Sequence, residues 1–219
     1  MPGARACMMQ RMRLFVEASQ RLNFAPSDGA AEAVADADLV TAMAAGDSEA
    51  FAALVSRHVA VVAGIARRML GDDSEAEDVT QEAFLKLWRL GAGLKIDQNG
   101  VGPWLRRVVS NLAIDRIRSK RRVTVTDEVP EVPEAPSQLK DLEGEELAAR
   151  VDLALQELPE CQRLALTLFH FEGLSQREVA TSMDISDEAV ESLLARARRK
   201  LKTLLEPDWR ALVSAGEGG

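Results

Sequence analysis

The sequence predicts an all-α protein made of two small helical domains joined by a flexible, acidic, proline-rich linker. Hydrophobic residues make up 47% of the 219 positions, and only 4% are aromatic. Alanine and leucine dominate, and alternating β-branched runs are rare, which favours helices over strands. The segment 123–138 carries Pro130, Pro133 and Pro136 among acidic residues, so it cannot bury enough apolar surface to fold.

Changes in composition divide the chain into five segments. The first segment has little regular pattern, and its stretch PSDGAAEAVADAD is rich in small and acidic residues, so the segment is expected to be disordered. Two segments have helical periodicity, and a break at Pro207 suggests that the last segment frays. The predicted segments are an N-terminal extension (1–37), a first helical domain (38–122), the linker (123–138), a second helical domain (139–205) and a C-terminal tail (206–219).

The first domain contains a helix with a continuous polar face. Gly71 ends an apolar helix, and Ser74 is the predicted N-cap of the next helix, whose apolar side includes Phe84 and Trp88. Polar residues on the opposite side recur three or four positions apart. By itself, such a face indicates solvated intrahelical ion pairs worth about 0.2–0.5 kcal/mol each. The residues of this face are Asp78, Gln81, Glu82 and Lys86.

A second helix of this domain has the residue types needed to open DNA. The glycine-rich segment 91–103 predicts a loop, and Trp104 is expected to start the helix. Opening a duplex requires groups that hold an unstacked base and cations that follow the exposed strand. The helix supplies an amide and guanidinium groups, although an arginine-rich helix end without a ligand remains the alternative. Its polar stripe consists of Arg107, Asn111, Asp115 and Arg118, opposite Leu105, Val109 and Leu112.

The second domain predicts a helix-turn-helix. Pro159 suits the first turn of a helix and Gly173 suits its left-handed C-cap. Ser175 and Glu178 form a capping-box pattern at the start of a short second helix, and Ser186 is the predicted N-cap of a third. Two short helices joined by so tight a turn are typical of this DNA-binding motif.

The third helix of this domain is amphipathic, with a partly basic outer face. Its apolar side includes Val190, Leu194 and Ala197. The outer face suits the major groove, whereas a plain surface helix with basic residues near its C-terminus is the alternative. Its outer residues are Glu188, Ser192, Arg196, Arg199 and Lys202. Glu188 either reads the N4 amino group of cytosine or favours the helix N-terminus.

Composition excludes several other classes of protein. A net charge of −8 argues against a general nucleic-acid coat, although Trp104–Arg122 is strongly basic. No glycine-rich phosphate-binding motif occurs, and His58 and His170 both adjoin apolar residues, so we expect neither an enzyme nor a cofactor. Cys7 and Cys161 have no metal-ligand spacing, so we expect no metal. We found no apolar run near the roughly 18 residues of a membrane span, which favours a cytoplasmic protein without membrane insertion.

Two parts of the chain resemble a known family. The segments LPECQRLALTL, FEGLSQREVA and ISDEAVESLLARARRKL resemble region 4 of bacterial RNA polymerase sigma factors, in particular the extracytoplasmic-function (ECF) group of the sigma-70 family. AEDVTQEAFLKLWR and WLRRVVSNLAIDRIRSKRR resemble the polymerase-binding and promoter-melting parts of region 2. The resemblance covers Asp38–Arg122 and Val151–Leu205, in the order and at the separation found in the family.

The resemblance implies a promoter-specificity subunit that binds core RNA polymerase, recognises the −35 and −10 elements and promotes melting. It implies that the polar face from Asp78 to Lys86 docks on the clamp coiled coil of the β′ subunit, and that region 4 meets the β flap. It places the stripe from Arg107 to Arg118 at the −10 element, where Asn111 and the preceding loop grip a flipped base. It places the outer face from Glu188 to Lys202 at the −35 element, and it implies an anti-sigma factor as a further partner.

Two other functions remain possible from the sequence. One is a one-component helix-turn-helix regulator with an N-terminal effector or dimerisation domain, which would have no need of the Arg- and Asn-rich helix Trp104–Arg122. The other is an antagonist or adaptor that binds polymerase or a sigma factor without touching DNA. The basic residues of the third helix, such as Arg199, argue against that function.

Overall fold

The computed structural model describes residues 29–93, 100–124 and 150–216, and every regular element in these ranges is helical. This confirms the predicted all-α class. The chain divides into two compact units, the first made of residues up to Arg67 with Asp72–Ala113 and the second of Arg68–Gly71 with Ile114 onwards. The predicted linker and most of the predicted loop before the melting helix lie outside the described residues.

The first unit is built mainly from four helices. They are α1 (Gly29–Ala44), α2 (Ser48–Leu70), α3 (Asp73–Leu90) and α4 (Gly102–Thr124), with a 3₁₀ turn at Gly91–Gly93. The ends of α2 and α4 belong to the second unit. The core consists of large apolar side chains with at most 1% of their surface exposed, including Leu54, Ile65, Phe84, Leu87 and Leu105.

The helix starts differ from prediction at three places. Helix α1 begins at Gly29, within the segment expected to be disordered. Asp72, not Ser74, caps α3, because its carboxylate accepts the backbone N–H of Glu75 at 2.9 Å, and an Asp serves as well as Ser in this role. Helix α4 begins at Gly102, two residues before Trp104.

Helix α2 is the one helix of the described residues that is long and apolar enough, by length and composition, to cross a membrane. The expectation that no segment approaches such a span therefore missed it. Its apolar residues have a structural explanation, because Leu54, Val59 and Ile65 are buried in the core. A core helix that is apolar over much of its surface gives the same sequence pattern as a membrane span.

The second unit contains the helix-turn-helix. Residues 150–156 form α5, followed by α6 (Glu160–Leu166), which continues as a π-helix at Thr167–Phe171. Then come α7 (Gln176–Met183) and α8 (Asp187–Gly216). Buried side chains of these helices form the core, among them Leu155, Leu164, Leu168, Val179 and Leu194.

The predicted caps of this unit are present. Ser175 and Glu178 form both bonds of a capping box, and Gly173 has φ 67°. The hydroxyl of Ser186 accepts the backbone N–H of Ala189 at 3.3 Å. The predicted break at Pro207 is wrong, since α8 continues to Gly216. The φ of proline fits a helix, so the chain loses one backbone hydrogen bond there without having to stop.

Candidate nucleic-acid and polymerase interfaces

The predicted melting stripe lies along one exposed side of α4. Arg107, Asn111, Asp115 and Arg118 are all exposed. Leu105 and Val109, on the opposite side, are at most 1% exposed, because they pack into the core. The helix therefore presents an amide flanked by two guanidinium groups to solvent, while its opposite side is held in the core by apolar packing.

A buried carboxylate near the start of α4 was not predicted from the sequence. Asp36 of α1 is 2% exposed. Its Oδ1 accepts a hydrogen bond from Arg57 at 3.0 Å, and its Oδ2 lies 2.9 Å from Nε2 of His58. The backbone N–H of Val101 donates to the same Oδ2 at 3.2 Å. Thus His58, predicted to be merely structural, contacts a charged group that links three separate segments.

The C-terminal half of α4 is basic and belongs to the second unit. Arg118 Nε lies 3.4 Å from Oε1 of Glu160, and Arg121 lies 3.4 Å from its Oε2. The side chains of Arg118 and Arg121 are 50% and 65% exposed, so these ion pairs stabilise the fold little. Both guanidinium groups therefore remain accessible from solvent within this unit.

The outer face of α8 also lies as predicted. Glu188, Arg196, Arg199 and Lys202 are exposed, whereas Ser192 is half-buried. The apolar side packs inward, and Val190, Leu194 and Ala197 are at most 1% exposed. Since α8 follows the capped turn of the helix-turn-helix, its exposed face matches the recognition surface of that motif.

Glu188 has local contacts at the start of α8. A hydrogen bond with its own backbone N–H, and then one with Ser186, hold the pKa of this carboxyl below its usual range. A carboxylate in the first turn of a helix satisfies an otherwise unpaired N–H and interacts favourably with the helix dipole. The geometry therefore supports the helix N-terminus alternative, and the reading of cytosine by Glu188 stays a prediction.

The predicted docking face of α3 is polar and paired along the helix. Lys86 Nζ lies 3.4 Å from Oε1 of Glu82, four residues earlier. Gln81 donates to Oε1 of Glu77 at 3.0 Å, and Asp78 is exposed. The exposed Glu82–Lys86 pair adds little to stability, so exchanging it for contacts with a partner would cost little.

Comparison with known families identifies two regions of the chain. The family described as Sigma-70 region 2 matches residues 54–123, and the family described as Sigma-70, region 4 matches residues 148–201. The first match contains the stripe of α4, and the second contains the outer face of α8 except Lys202.

Whole-chain relatives agree with this assignment. The RNA polymerase sigma-H factor of Pseudomonas aeruginosa is 36% identical over 183 residues, which cover 78% of this chain and 94% of that protein. The ECF RNA polymerase sigma factor SigM of Mycobacterium tuberculosis is 34% identical over 172 residues, which cover 78% and 84%. The structure of CnrH in complex with the cytosolic domain of CnrY matches with a TM-score of 0.59 and 30% identity, covering 80% and 99%.

Two helical units, one of which contains a helix-turn-helix, are typical of a DNA-binding protein that acts in transcription. The chain belongs to the sigma-70 family of RNA polymerase sigma factors, within its ECF group. It is accordingly a promoter-specificity subunit that binds core RNA polymerase and promoter DNA. Sigma factors are regulatory subunits rather than enzymes, and the alternative of a one-component regulator is not favoured.

Proposed function

We propose that three exposed helical faces of this sigma factor carry out three different steps of initiation. Helix α3 docks on the clamp coiled coil of the polymerase β′ subunit, and region 4 meets the β flap. Helix α4 reads and opens the −10 element, and the outer face of α8 reads the −35 element. The protein acts in the cytoplasm, where its polymerase is.

The observation that carries this proposal is the stripe of α4. Asn111 projects from the middle of an exposed side, one turn after Arg107 and two turns before Arg118. An amide can hydrogen-bond the edge of an extruded base, and the guanidinium groups can contact phosphates of the opened strand. Val109, on the opposite side, is 0% exposed, so the helix that carries these groups is supported by the core.

Docking through α3 is supported by its exposed, weakly paired polar face. Reversing Asp78 and Glu82 together to Lys should reduce core-polymerase binding about tenfold or more, because two attractive contacts become repulsive at the interface. Pull-down of core polymerase measures the effect, and circular dichroism checks the fold. The matched control reverses Asp187 and Glu191, which are also four residues apart and exposed, but on α8.

The control should bind core polymerase like the wild type. Equal loss of binding in both double variants would contradict docking through α3, because it would point to a general effect of net charge. Run-off transcription with purified core polymerase tests the whole proposal, since the protein should confer initiation at a specific promoter. No promoter-specific transcript with an intact protein would contradict it.

The proposal includes an anti-sigma factor. CnrH was solved bound to the cytosolic domain of another protein, CnrY, which supports a protein partner for this chain as well. Such a partner would hold the sigma factor away from core polymerase until a signal releases it. Competition between a co-purified partner and core polymerase in a pull-down tests this point, and simultaneous binding of both would contradict it.

A further inference from the structure

Helix α4 is anchored at the residue just before its first turn by a side chain from another helix. The carbonyl of Val101 accepts the backbone N–H of Leu105 at 3.0 Å, so Val101 is the N-cap residue that directly precedes α4. Its side chain is 0% exposed, and its own N–H donates to Oδ2 of Asp36 at 3.2 Å. The carboxylate therefore caps α4 from a position 65 residues earlier in the sequence.

The carboxylate of Asp36 is held in its ionised form. Burial acts to raise its pKa, but the hydrogen bond and electrostatic interaction with His58, together with hydrogen bonds from Val101 and Arg57, outweigh burial and hold the pKa below its usual value. An anion near a helix N-terminus is also favoured by the helix dipole. Because an ionised carboxylate only accepts, Nε2 of His58 is the donor in this contact.

His58 also lies against the first turn of α4. A methyl group built on Gly102 would lie 3.8 Å from Cε1 of the imidazole and 3.4 Å from a guanidinium nitrogen of Arg106. The imidazole thus occupies the space beside the helix start while it donates to Asp36. Together the two side chains connect α1 and α2 to the end of the loop that precedes the melting stripe.

We propose that Asp36, supported by His58, is a positioning residue for promoter opening. By fixing the first turn of α4, it sets the direction in which Arg107 and Asn111 meet the DNA. Asp36 lies 18 positions before the residues matched to Sigma-70 region 2, which start at 54, so that match assigns it no role. This inference rests on the proposed function of α4 in opening.

The test substitutes Asp36→Asn in the full-length chain, assembled with core polymerase. Asparagine keeps the size but turns one oxygen into an NH₂ group, which then faces a donor from Val101, His58 or Arg57. Opening of duplex promoter, measured by permanganate reactivity, should fall roughly tenfold, since a buried donor left unpaired weakens the network considerably. Core binding should be unchanged, and a template with a pre-melted bubble should restore most of the activity.

Three further measurements separate positioning from simple support of the fold. Asp38→Asn, on an exposed position of the same helix, is the matched control and should open DNA like the wild type. Hydrogen exchange of the peptide containing Val101 should be faster in Asp36→Asn. His58→Gln keeps a side-chain N–H donor and should retain more opening than His58→Ala.

The outcomes distinguish the inference from the proposed function. If Asn111→Ala impairs opening while Asp36→Asn opens duplex promoter normally, the positioning role is wrong and the function of α4 stands. If Asp36→Asn loses core binding, or if the bubble template fails to rescue it, Asp36 only supports the fold and the inference is wrong. If both variants open DNA normally, the inference fails together with the assignment of melting to α4.

Discussion

The two helices that we propose contact DNA, α4 and α8, are anchored in different ways. The start of α4 is capped by Asp36, which lies 65 residues before Val101 and is buried beside the partly exposed His58. The start of α8 is capped by its own neighbours, since Ser186 accepts the N–H of Ala189 and the Glu188 carboxylate interacts with its own backbone. The orientation of α4 therefore depends on the tertiary structure of its unit, whereas the N-terminal cap of α8 comes from its own sequence neighbours.

The polar residues of the two helices are also arranged differently. In α4, Asn111 lies in the middle of an exposed stripe that also carries two arginines and one aspartate. In α8, acidic residues occupy the first turn and the exposed Arg196 and Arg199 follow later. The first arrangement suits a helix that contacts a separated strand, and the second suits a helix whose N-terminal half enters the major groove.

The largest expected effect comes from removing the central amide of α4. Asn111→Ala should reduce open-complex formation about tenfold or more, since a specific base contact contributes roughly 1–3 kcal/mol. Closed-complex formation should change much less, because Asn111 is predicted to hold only an unstacked base. Permanganate footprinting measures the opening, and a pre-melted bubble template should restore part of the activity. Normal opening by this variant would show that α4 is not the melting helix.

The next effect separates phosphate contacts from base contacts on α8. Arg199→Ala should weaken all promoters by a similar factor and lower the slope of log K against log salt by about one unit, since it removes one phosphate contact. Ser192→Ala and Glu188→Ala should instead change the order of preference among promoters. A panel of −35 variants scored by transcription, at several salt concentrations, measures both.

Two results on this panel would revise the orientation of α8. If Arg199→Ala reorders the promoters while Ser192→Ala and Glu188→Ala leave the order unchanged, the helix enters the groove by a different part of its surface. If only Glu188→Ala leaves the order unchanged, its carboxylate serves the helix N-terminus, which its contact with Ser186 already favours.

A smaller effect tests the local caps of the helix-turn-helix. Ser175→Ala should lower the free energy of unfolding by about 1 kcal/mol, because it removes one half of the capping box. Thermal or urea unfolding of the full chain measures the change. Ser74→Ala is the matched control, since Ser74 is exposed and does not cap α3, and it should change stability by less than about 0.5 kcal/mol. Equal losses in both variants would contradict the local character of the Ser175 cap.

The smallest effect concerns the second histidine. Partial burial, and then the charge of Arg198, hold the pKa of His170 below its usual value. Arg198 lies 3.3 Å from Nε2 of the imidazole, which must therefore accept, so the folded protein favours the neutral ring. The stability that this contact adds is present above the pKa of the unfolded chain and is lost as pH falls through the lower folded pKa.

His170→Gln should therefore make the free energy of unfolding slightly less sensitive to pH below about 6.5, the ordinary pKa of histidine. Unfolding measured from pH 5 to pH 8 tests this. The matched comparison is His58→Gln, because His58 contacts a carboxylate and not a guanidinium group. A pH profile that is unchanged in His170→Gln would contradict the role of Arg198.

Local sequence was enough to predict much of the fold. Residues such as Val109 and Leu194 recur at helical spacing, and the spacing of an α-helix requires them to share one face. The exposed stripe of α4 and the outer face of α8 follow from the same periodicity. The capping box at Ser175 and the cap at Ser186 were also predictable, because every atom that forms them lies within a few positions.

Features that join distant segments could not be predicted from the sequence and were seen only in the tertiary structure. Asp36 is followed by an exposed Asp38 and flanked by alanines, so nothing in its neighbourhood distinguishes a buried carboxylate from a solvated one. Its burial depends on His58, Arg57 and Val101, which lie 21 to 65 residues away. A contact between distant positions leaves no periodic pattern, because its energy arises only after the chain has folded.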